Sequence, residues 1–574
     1  MPLSPGLVFL GKRSPSLVLP PLLTYGALHV LDQTNILTLP TWAVISLVAL
    51  AKPIHYACEV YHHRYRVQRE AKKRGAKVVP HIEEPWPYFS GLSIIPYLMD
   101  SYLNGYVLDS VQEWVGKYGH TFELRLPSEN QIWTTEPEHV KAMLATQFQN
   151  FEKGHGFIQQ MHSFLGTGVF NSDGDMWKFH RAITRPFFTR DRISDFDIFD
   201  KHAAQTLELA RARLAEGYAI DFQDLVARFT LDSAAQFLFG EKIDSLSAGI
   251  PYPKNSRKPN PPSFTSHPSN IFVNAFLSGL HGVTMRAIIG QEWPLAEFLR
   301  DTVKPNRDIV DQIIEPIVDK ALREASTLGD VEKVEKGEEE TLLKHLLLNL
   351  LVAGRDTTAC TLTYSVYMLA ENPHVAERLR SEILNKVGEK GRPSYDDIRD
   401  MRYLRAFINE VLRLYPPVPF NTRRAINDTV FTTKDGRPPL FIPGDTQVGY
   451  SVWDMHRRKD LWGPDAYEFD PDRFLDERLH KYLTPNPFIF TPFNAGPRIC
   501  LGQQFAYHEA SFFLIRLLQQ FSKFSLAPDA QPAGTIPPES WKTCEGRKGM
   551  EKIWPGTNLT LIVKGGLWVR MDFF

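Results

Sequence analysis

The stretch at 493–502, FNAGPRICLG, constrains this chain more than any other. Gly496 and Pro497 force a tight turn, Cys500 follows, and Gly502 opens a segment with Phe505, Ala506, Phe512, Phe513 and Leu517 at helical spacing. This pattern predicts a helix beginning at Leu501 and Gly502. It puts the Cys500 sulfur at the helix N-terminus, where backbone N–H groups favour a thiolate and lower its pKa. Gly502 has no side chain, so a flat ligand can approach the backbone. Phe493 can shield the sulfur from water, and Arg498 can reach an anionic group beside it.

The other cysteines are Cys58, Cys360 and Cys544. They form no C-x-x-C pair and no framework spacing, so a disulfide scaffold is not expected and a reduced compartment is. With no second cysteine nearby, the 493–502 loop cannot be a tetrahedral zinc site. A single shielded thiolate can instead be the axial ligand of a haem iron. A lone cysteine is more often a buried apolar residue; the surrounding Gly, Arg and Gly favour the ligand reading. The 574 residues, 43% of them hydrophobic, can bury a large core in one domain or two. The net charge of -1 gives no global field for nucleic acid or acidic partners.

The N-terminus differs from the rest. Residues 14–31 and 33–51 carry no Asp, Glu, Lys or Arg, and Asp32 alone separates them. Each is close to the ~20 residues that cross a bilayer. Pro15, Pro20, Pro21 and Pro40 make neither an ideal helix. A basic run follows, Arg64, Arg66, Arg69, Lys72, Lys73 and Arg74, and Lys12 and Arg13 precede the first segment. By the positive-inside rule the basic run lies on the cytosolic side. A hairpin of two segments fits, as does one span with an interfacial stretch; two apolar core segments are the alternative. No small-residue cleavage pattern is present, so an uncleaved anchor is expected. The division read from the sequence is an anchor over 1–62, a basic linker over 63–80 and one domain over 81–574.

Within that domain, FELRL at 122–126 reads as strand, and the chain is mostly helical from about 136. Apolar spacing predicts helices over 221–240 and 308–325, with a Pro-rich loop at 250–270 between them. A long buried helix runs up to Asn372-Pro373, and strand-like segments recur at 428–452 and near the C-terminus.

Phe493, Gly496, Arg498, Cys500 and Gly502 match F-x-x-G-x-R-x-C-x-G, and the chain thereby resembles the cytochrome P-450 haem-thiolate monooxygenases. The resemblance spans roughly residues 80–574. It implies a mainly α fold with small β-sheets, with haem b between an oxygen-groove helix and the cysteine loop, and Cys500 as the iron ligand. Glu410 and Arg413 in NEVLRLYPPVP, with Arg473 in DPDRF, resemble the family's Glu-Arg-Arg network behind the haem loop, a structural role. Asp472 stands where Glu is more usual. AGRDTT at 353–358 resembles the oxygen-groove motif. A buried Arg-Asp-Thr-Thr run is costly unless paired or hydrated, and Thr357 can bond the carbonyl four residues back and loosen the helix. By the match, Asp356 and Thr357 form the catalytic acid–alcohol pair that relays protons for dioxygen reduction. Trp177 and Arg181, at i,i+4, resemble the W-x-x-x-R contact to a haem propionate. Arg423 resembles a second propionate partner, with Arg424 beside it leaving that choice open, and Arg498, Phe493 and Gly502 complete the haem-binding set. His180 and His508 read as ordinary packed or surface histidines.

These motifs imply a monooxygenase that inserts one atom of dioxygen into a C–H bond of a lipophilic substrate. No Gly-rich nucleotide-binding unit follows the loop, so the expected electron donor is a separate NADPH–cytochrome P-450 reductase. The expected location is the endoplasmic reticulum membrane with the domain cytosolic, and no nucleic-acid partner is expected. AGRDTTA and FNAGPRICLGQQFA look most like the microsomal alkane and fatty-acid hydroxylases of fungi, and the mostly apolar 418–421 could hold an alkyl chain. Hydroxylation of aromatic or polycyclic xenobiotics is the main competitor. An oxygen-independent isomerase or dehydratase is disfavoured by the intact Asp356-Thr357 pair, and a catalytically silent haem-binding partner or sensor is the reading from another class. One departure stands out. Only the acidic 329–352 stretch leads into the oxygen-groove helix, which predicts shortened or rebuilt first turns.

Overall fold

The computed structural model describes residues 4–83, 91–127, 129–327, 336–434 and 436–573. Two helices come first, α1 (Pro5–Gln33) and α2 (Thr41–Lys73), packed on each other as a hairpin. Leu22, Leu23, Trp42 and Ile45 on them are exposed. The prolines do not break these helices. Pro15 cannot donate to the Gly11 carbonyl, and the Ser14 hydroxyl donates to it instead at 2.9 Å. Only α2 of the pair holds a stretch long and apolar enough to be a candidate span, with a mean hydropathy of 1.4 over its 18 most apolar residues.

The basic run expected in a linker lies on the last turns of α2. There Val67 and Ala71 are buried against Phe441, and a short strand, Lys77–Val78, pairs in parallel with Leu440–Ile442. The other end of the hairpin also meets the domain. A Cβ on Gly6 would lie 2.5 Å from the Phe298 ring, so glycine is what permits the contact.

The helices that build the site follow in chain order: α3 (Gly154–Leu165), α4 (Gly174–Thr184), α5 (Asp197–Ala215), α6 (Phe222–Phe239), α7 (Pro268–Ile289), α8 (Lys304–Thr327), α9 (Lys336–Glu371), α10 (Pro373–Val387), α11 (Arg402–Leu414) and α12 (Gln503–Gln520). Helix α9 is the axis of the core. It packs on α6, where a Cβ on Gly354 would come within 2.9 Å of the Ala234 Cβ, and on α12. Phe199, Phe237, Phe505, Phe512 and Phe513 fill the space between α5, α6 and α12. Helix α7 also has the length and apolarity of a span, but half of its window is buried in the domain, as a core helix requires.

One sheet flanks the site. Its strands are β1 (Thr121–Arg125), β2 (Asn130–Thr134), β3 (Phe151–Glu152), β4 (Phe420–Ala425) and β5 (Gln447–Ser451), in the order β1-β2-β5-β4-β3. The β2–β5 pair is parallel and the others are antiparallel.

The expected shortening does not fall on α9. This helix begins at Lys336, and Leu346, Leu348, Leu350, Leu351 and Val352 are buried ahead of the AGRDTT run. Formed turns therefore precede the motif, and the remainder of the acidic approach, 329–335, lies outside the described residues.

Candidate active site

A cavity of about 470 Å³ lies between α9 and the 493–502 loop, walled by α3, α4, α7, β4 and the loop at 555–560. That size suits a small-molecule site. Its lining brings together Cys500, Phe493, Arg498, Gly502, Thr357, Trp177, Arg181 and Arg423, residues far apart in the chain.

The loop holds Cys500 by a hydrogen bond from its N–H to the Phe493 carbonyl, 3.0 Å. Gly496 carries a φ of +65°, and a Cβ there would strike the Leu144 carbonyl, so glycine is required at the turn. Helix α12 starts at Gln503 with Gly502 at its cap, close to where the apolar spacing put it. The thiol faces the cavity. Its pKa does not fall as the helix-terminus argument expected. Crowding by protein atoms pushes it up, against the smaller opposing effects of the Gly502 N–H and the Arg181 charge. A thiolate here needs a cationic partner to stabilise it.

On α9, the Thr357 hydroxyl donates to the Ala353 carbonyl at 2.7 Å. Thr357, Gly354 and Thr361 line the cavity, while Asp356 is turned into the protein and pairs with Arg355. Burial raises the Asp356 pKa and Arg355 opposes the rise. The expected pair is therefore adjacent in sequence, but only its alcohol reaches the cavity wall.

Trp177 lies under the Arg498 guanidinium at 4.5 Å, and Arg498 pairs with Asp173 at 2.6 Å. Burial lowers the Arg498 pKa to about 10, with the Arg423 charge adding to it. Arg181 donates to the Ile499 carbonyl at 3.0 Å, on the cysteine loop itself. The choice between Arg423 and Arg424 follows from the pleat of β4, where successive side chains point to opposite faces. Arg423 lines the cavity, and Arg424 pairs with Asp445 at 2.6 Å.

Behind the loop, Glu410 takes both Arg413 bonds at 2.7 Å and meets Arg473 at 3.5 Å, all three fully buried. Arg413 and Arg473 also donate to five carbonyls between them, at His456, Ala466, Glu468, Trp462 and Asp465. Removing one partner of such a set leaves a buried charge uncompensated. Asp472 is outside the set and pairs with Arg378 at 2.6 Å.

The cytochrome P450 family profile matches residues 87–539. The chain belongs to the cytochrome P450 family. It is 33% identical to cytochrome P450 monooxygenase fsdH of Fusarium heterosporum, over 79% of this chain and 77% of that one. It is 36% identical to cytochrome P450 52-M1 of Starmerella bombicola (71% and 78%) and 35% identical to cytochrome P450 52A3-B of Candida maltosa (78% and 87%). This P450 is a monooxygenase of a family that uses haem iron, dioxygen, a lipophilic substrate and a redox partner.

The residues fit that cofactor. A thiol faces an apolar-walled cavity, cationic side chains gather on one side of it, and the buried Arg498 Nε has no hydrogen-bond partner. Haem would supply iron for dioxygen activation, and its two carboxylates would be matched by these cations. Two further residues of this P450 went unmarked by the sequence motifs. Lys153 lines the cavity beside Arg423 and Arg498. Glu509, fully buried on α12, sits beside Thr358, with neither oxygen in a complete hydrogen bond, and burial lifts its pKa well above the carboxylate range. Lys153 stands in no motif; its place follows from the fold alone. His180 and His508 are buried and stand outside the cavity lining.

Proposed function

We propose that Cys500 is the axial thiolate of a haem whose propionates are held by Trp177, Arg181, Arg423 and Arg498, and that the enzyme hydroxylates C–H bonds of long-chain alkanes or fatty acids. The observation that carries the first part is the convergence of the Cys500 sulfur, the Thr357 hydroxyl and these cations on one cavity. The apolar side chains of Val169, Ile288, Leu350, Val352, Val418 and Phe420 in the cavity lining support an alkyl substrate, as do the AGRDTTA and FNAGPRICLGQQFA stretches that resemble fungal hydroxylases of that class. Thr357 is the proton-relay group of the cavity wall. Asp356 is the adjacent acid, which serves it only after leaving Arg355. Electrons come from a separate NADPH–cytochrome P-450 reductase, and the exposed apolar helices with the basic run after them support a location at the endoplasmic reticulum membrane with the domain cytosolic.

Cys500→Ser should abolish the red-shifted Soret band of the ferrous–CO complex, whereas Cys58, Cys360 and Cys544 should each be replaceable without losing it. Retention of the band in Cys500→Ser would remove Cys500 from the iron. Substrate class is read from the low- to high-spin transition across alkanes, fatty acids and polycyclic aromatics. Response to the aromatics alone would overturn the alkyl assignment.

A further inference from the structure

Helix α3 turns one face to the cavity with Phe157, Gln160, Met161 and Leu165, the i, i+3, i+4 and i+8 positions of an apolar stripe. Three of the four are apolar, and Gln160 stands where the stripe calls for a fourth. Its neighbour Gln159 is exposed, as glutamine ordinarily is, whereas Gln160 is only 5% exposed. Among the described residues the Gln160 amide has no hydrogen-bond partner, and it opens on the cavity. A primary amide offers one carbonyl acceptor and two N–H donors. Keeping it in an apolar wall is costly unless something in the cavity meets it.

The amide is held at a set place in that wall. Three residues on, the Ser163 hydroxyl accepts from Arg286 Nη1 at 2.8 Å and donates to Asp301 at 2.5 Å. Arg286 lies on α7, buried, and makes both bonds to Glu297 at 2.7 and 2.6 Å. The two helices come so close that a Cβ on Gly279 of α7 would lie 2.2 Å from the Phe164 ring. Helix α3 is thereby clamped on α7, and a group placed on a clamped helix is preorganised for what it binds.

The charge of the surroundings narrows what that is. The lysines and arginines of the described lining are Lys153, Arg181, Arg423 and Arg498. Arg498 belongs to the cysteine loop and Arg181 is bonded to its Ile499 carbonyl, while Lys153 and Arg423 both donate to the Asn421 Oδ1. Lys153 caps the start of α3, about 10 Å along the helix axis from Gln160. A carboxylate beside Gln160 would lack a counter-charge in an apolar wall. A hydroxyl or an ester carbonyl is matched by the amide alone.

We propose that Gln160 is a specificity-determining residue that binds an uncharged oxygen function, a hydroxyl or an ester carbonyl, on an aliphatic substrate. The inference rests on the alkyl reading above and adds the polar anchor that a plain alkane cannot use. Anchoring one point of a flexible chain also fixes which of its carbons reaches the reacting centre.

The test uses the full-length holoenzyme and Gln160→Met, which keeps the length of the side chain and removes its amide. Dodecane, dodecanol, methyl dodecanoate and dodecanoate are titrated through the low- to high-spin transition, and the hydroxylated positions of dodecane and dodecanol are determined. Wild type should bind dodecanol and the methyl ester more tightly than dodecane. Gln160→Met should lose roughly five- to tenfold of that preference, the worth of one neutral hydrogen bond. It should bind dodecane at least as tightly as wild type does. Its products from dodecanol should spread over more positions, with those from dodecane unchanged. Gln160→Asn, which draws the amide back by one methylene, is the second variant in case Gln160→Met fails to fold. It should move the preferred carbon of dodecanol and leave that of dodecane in place. A preference for dodecanol and the ester that survives in Gln160→Met, or an unmoved dodecanol position in Gln160→Asn, would overturn the assignment. So would dodecanoate as the tightest ligand and the one most weakened in Gln160→Met, which would make the bound group a carboxylate. A wild type that answers polycyclic aromatics and none of the four aliphatic ligands would overturn the alkyl reading itself, a distinct failure.

Discussion

Among the described residues the Thr357 hydroxyl makes one hydrogen bond, to the carbonyl one turn back, and is otherwise turned to what the cavity holds. Thr357→Ala should therefore cost little stability, because back-bonding of this kind contributes little to a helix. It should still give the substrate-induced spin-state change and still consume NADPH with added reductase. Product per NADPH should fall and peroxide release should rise. The rate of the oxygenation step should drop by something on the order of 10²–10⁴, the usual worth of a positioned proton donor. Wild-type coupling in this variant would show that Thr357 is not the relay. That Cys500 and Thr357 share the cavity was legible because each sits in a motif whose spacing fixes its neighbours, whereas Arg423 and Arg424 were told apart only by the pleat of β4. Two further residue-level features were not legible. The Cys500 thiol was expected to be acidified by its helix terminus, yet crowding by protein atoms outweighs those N–H groups. Glu509 sits on α12 like any core-facing position, and only the packing of α12 on α9 puts its carboxyl beside Thr358.

At the level of elements, apolar periodicity found α6 and α8 to within a few residues and the end of α9 at Asn372-Pro373, because each buries a continuous face; the early start of α9 at Lys336 was not read. The hairpin helices were read less well. Proline's lost hydrogen bond argued against them, and local repairs such as Ser14 to Gly11 cannot be seen in composition. The start of α6 carries a pH-dependent joint. Asp221 caps it, accepting from Gln223 N–H at 3.1 Å and Asp224 N–H at 3.3 Å. The same oxygen accepts from Leu567 N–H at 3.0 Å, near the C-terminal strand (Trp568–Phe573). Burial first, and then the Asp224 charge, raise the Asp221 pKa to about 7. A carboxyl raised in the folded state holds its proton while the unfolded chain has released it. Its contribution to stability is therefore full below the unfolded pKa near 4 and is lost as pH climbs to about 7. The loss is at most about 4 kcal/mol for a shift of this size. Asp221→Asn keeps an acceptor at the cap and cannot ionise. Its stability relative to wild type, from urea midpoints, should rise between pH 4 and 7 and level off above. A flat difference across that window would mean Asp221 is ionised throughout.

On the scale of the whole molecule, the hairpin meets the domain at Gly6 against Phe298 and at the last turns of α2 against Phe441. Between them the helices expose leucine, isoleucine, valine and tryptophan to their surroundings. Such a surface needs a bilayer or another apolar partner. Removing roughly the first 60 residues deletes α1 and the apolar part of α2 but keeps Val67, Ala71 and every residue of the cavity wall. The truncated protein should fold, because the cores around α9 and α12 draw nothing from α1. It should take up haem and bind membranes more weakly. The attachment that remains should come from Arg64, Arg66, Arg69, Lys72, Lys73 and Arg74 on anionic headgroups, at about 1 kcal/mol for each residue near the surface. Raising the salt should release that remainder, since at about 1 M the Debye length shrinks to roughly 3 Å. The full-length protein should resist the same salt, because apolar burial is not screened. The measurement is sedimentation with vesicles containing anionic lipid, at low and high salt, for both lengths of chain. A full-length protein that stays in solution without detergent, or a truncated one that cannot fold, would make residues 14–51 part of the packed core.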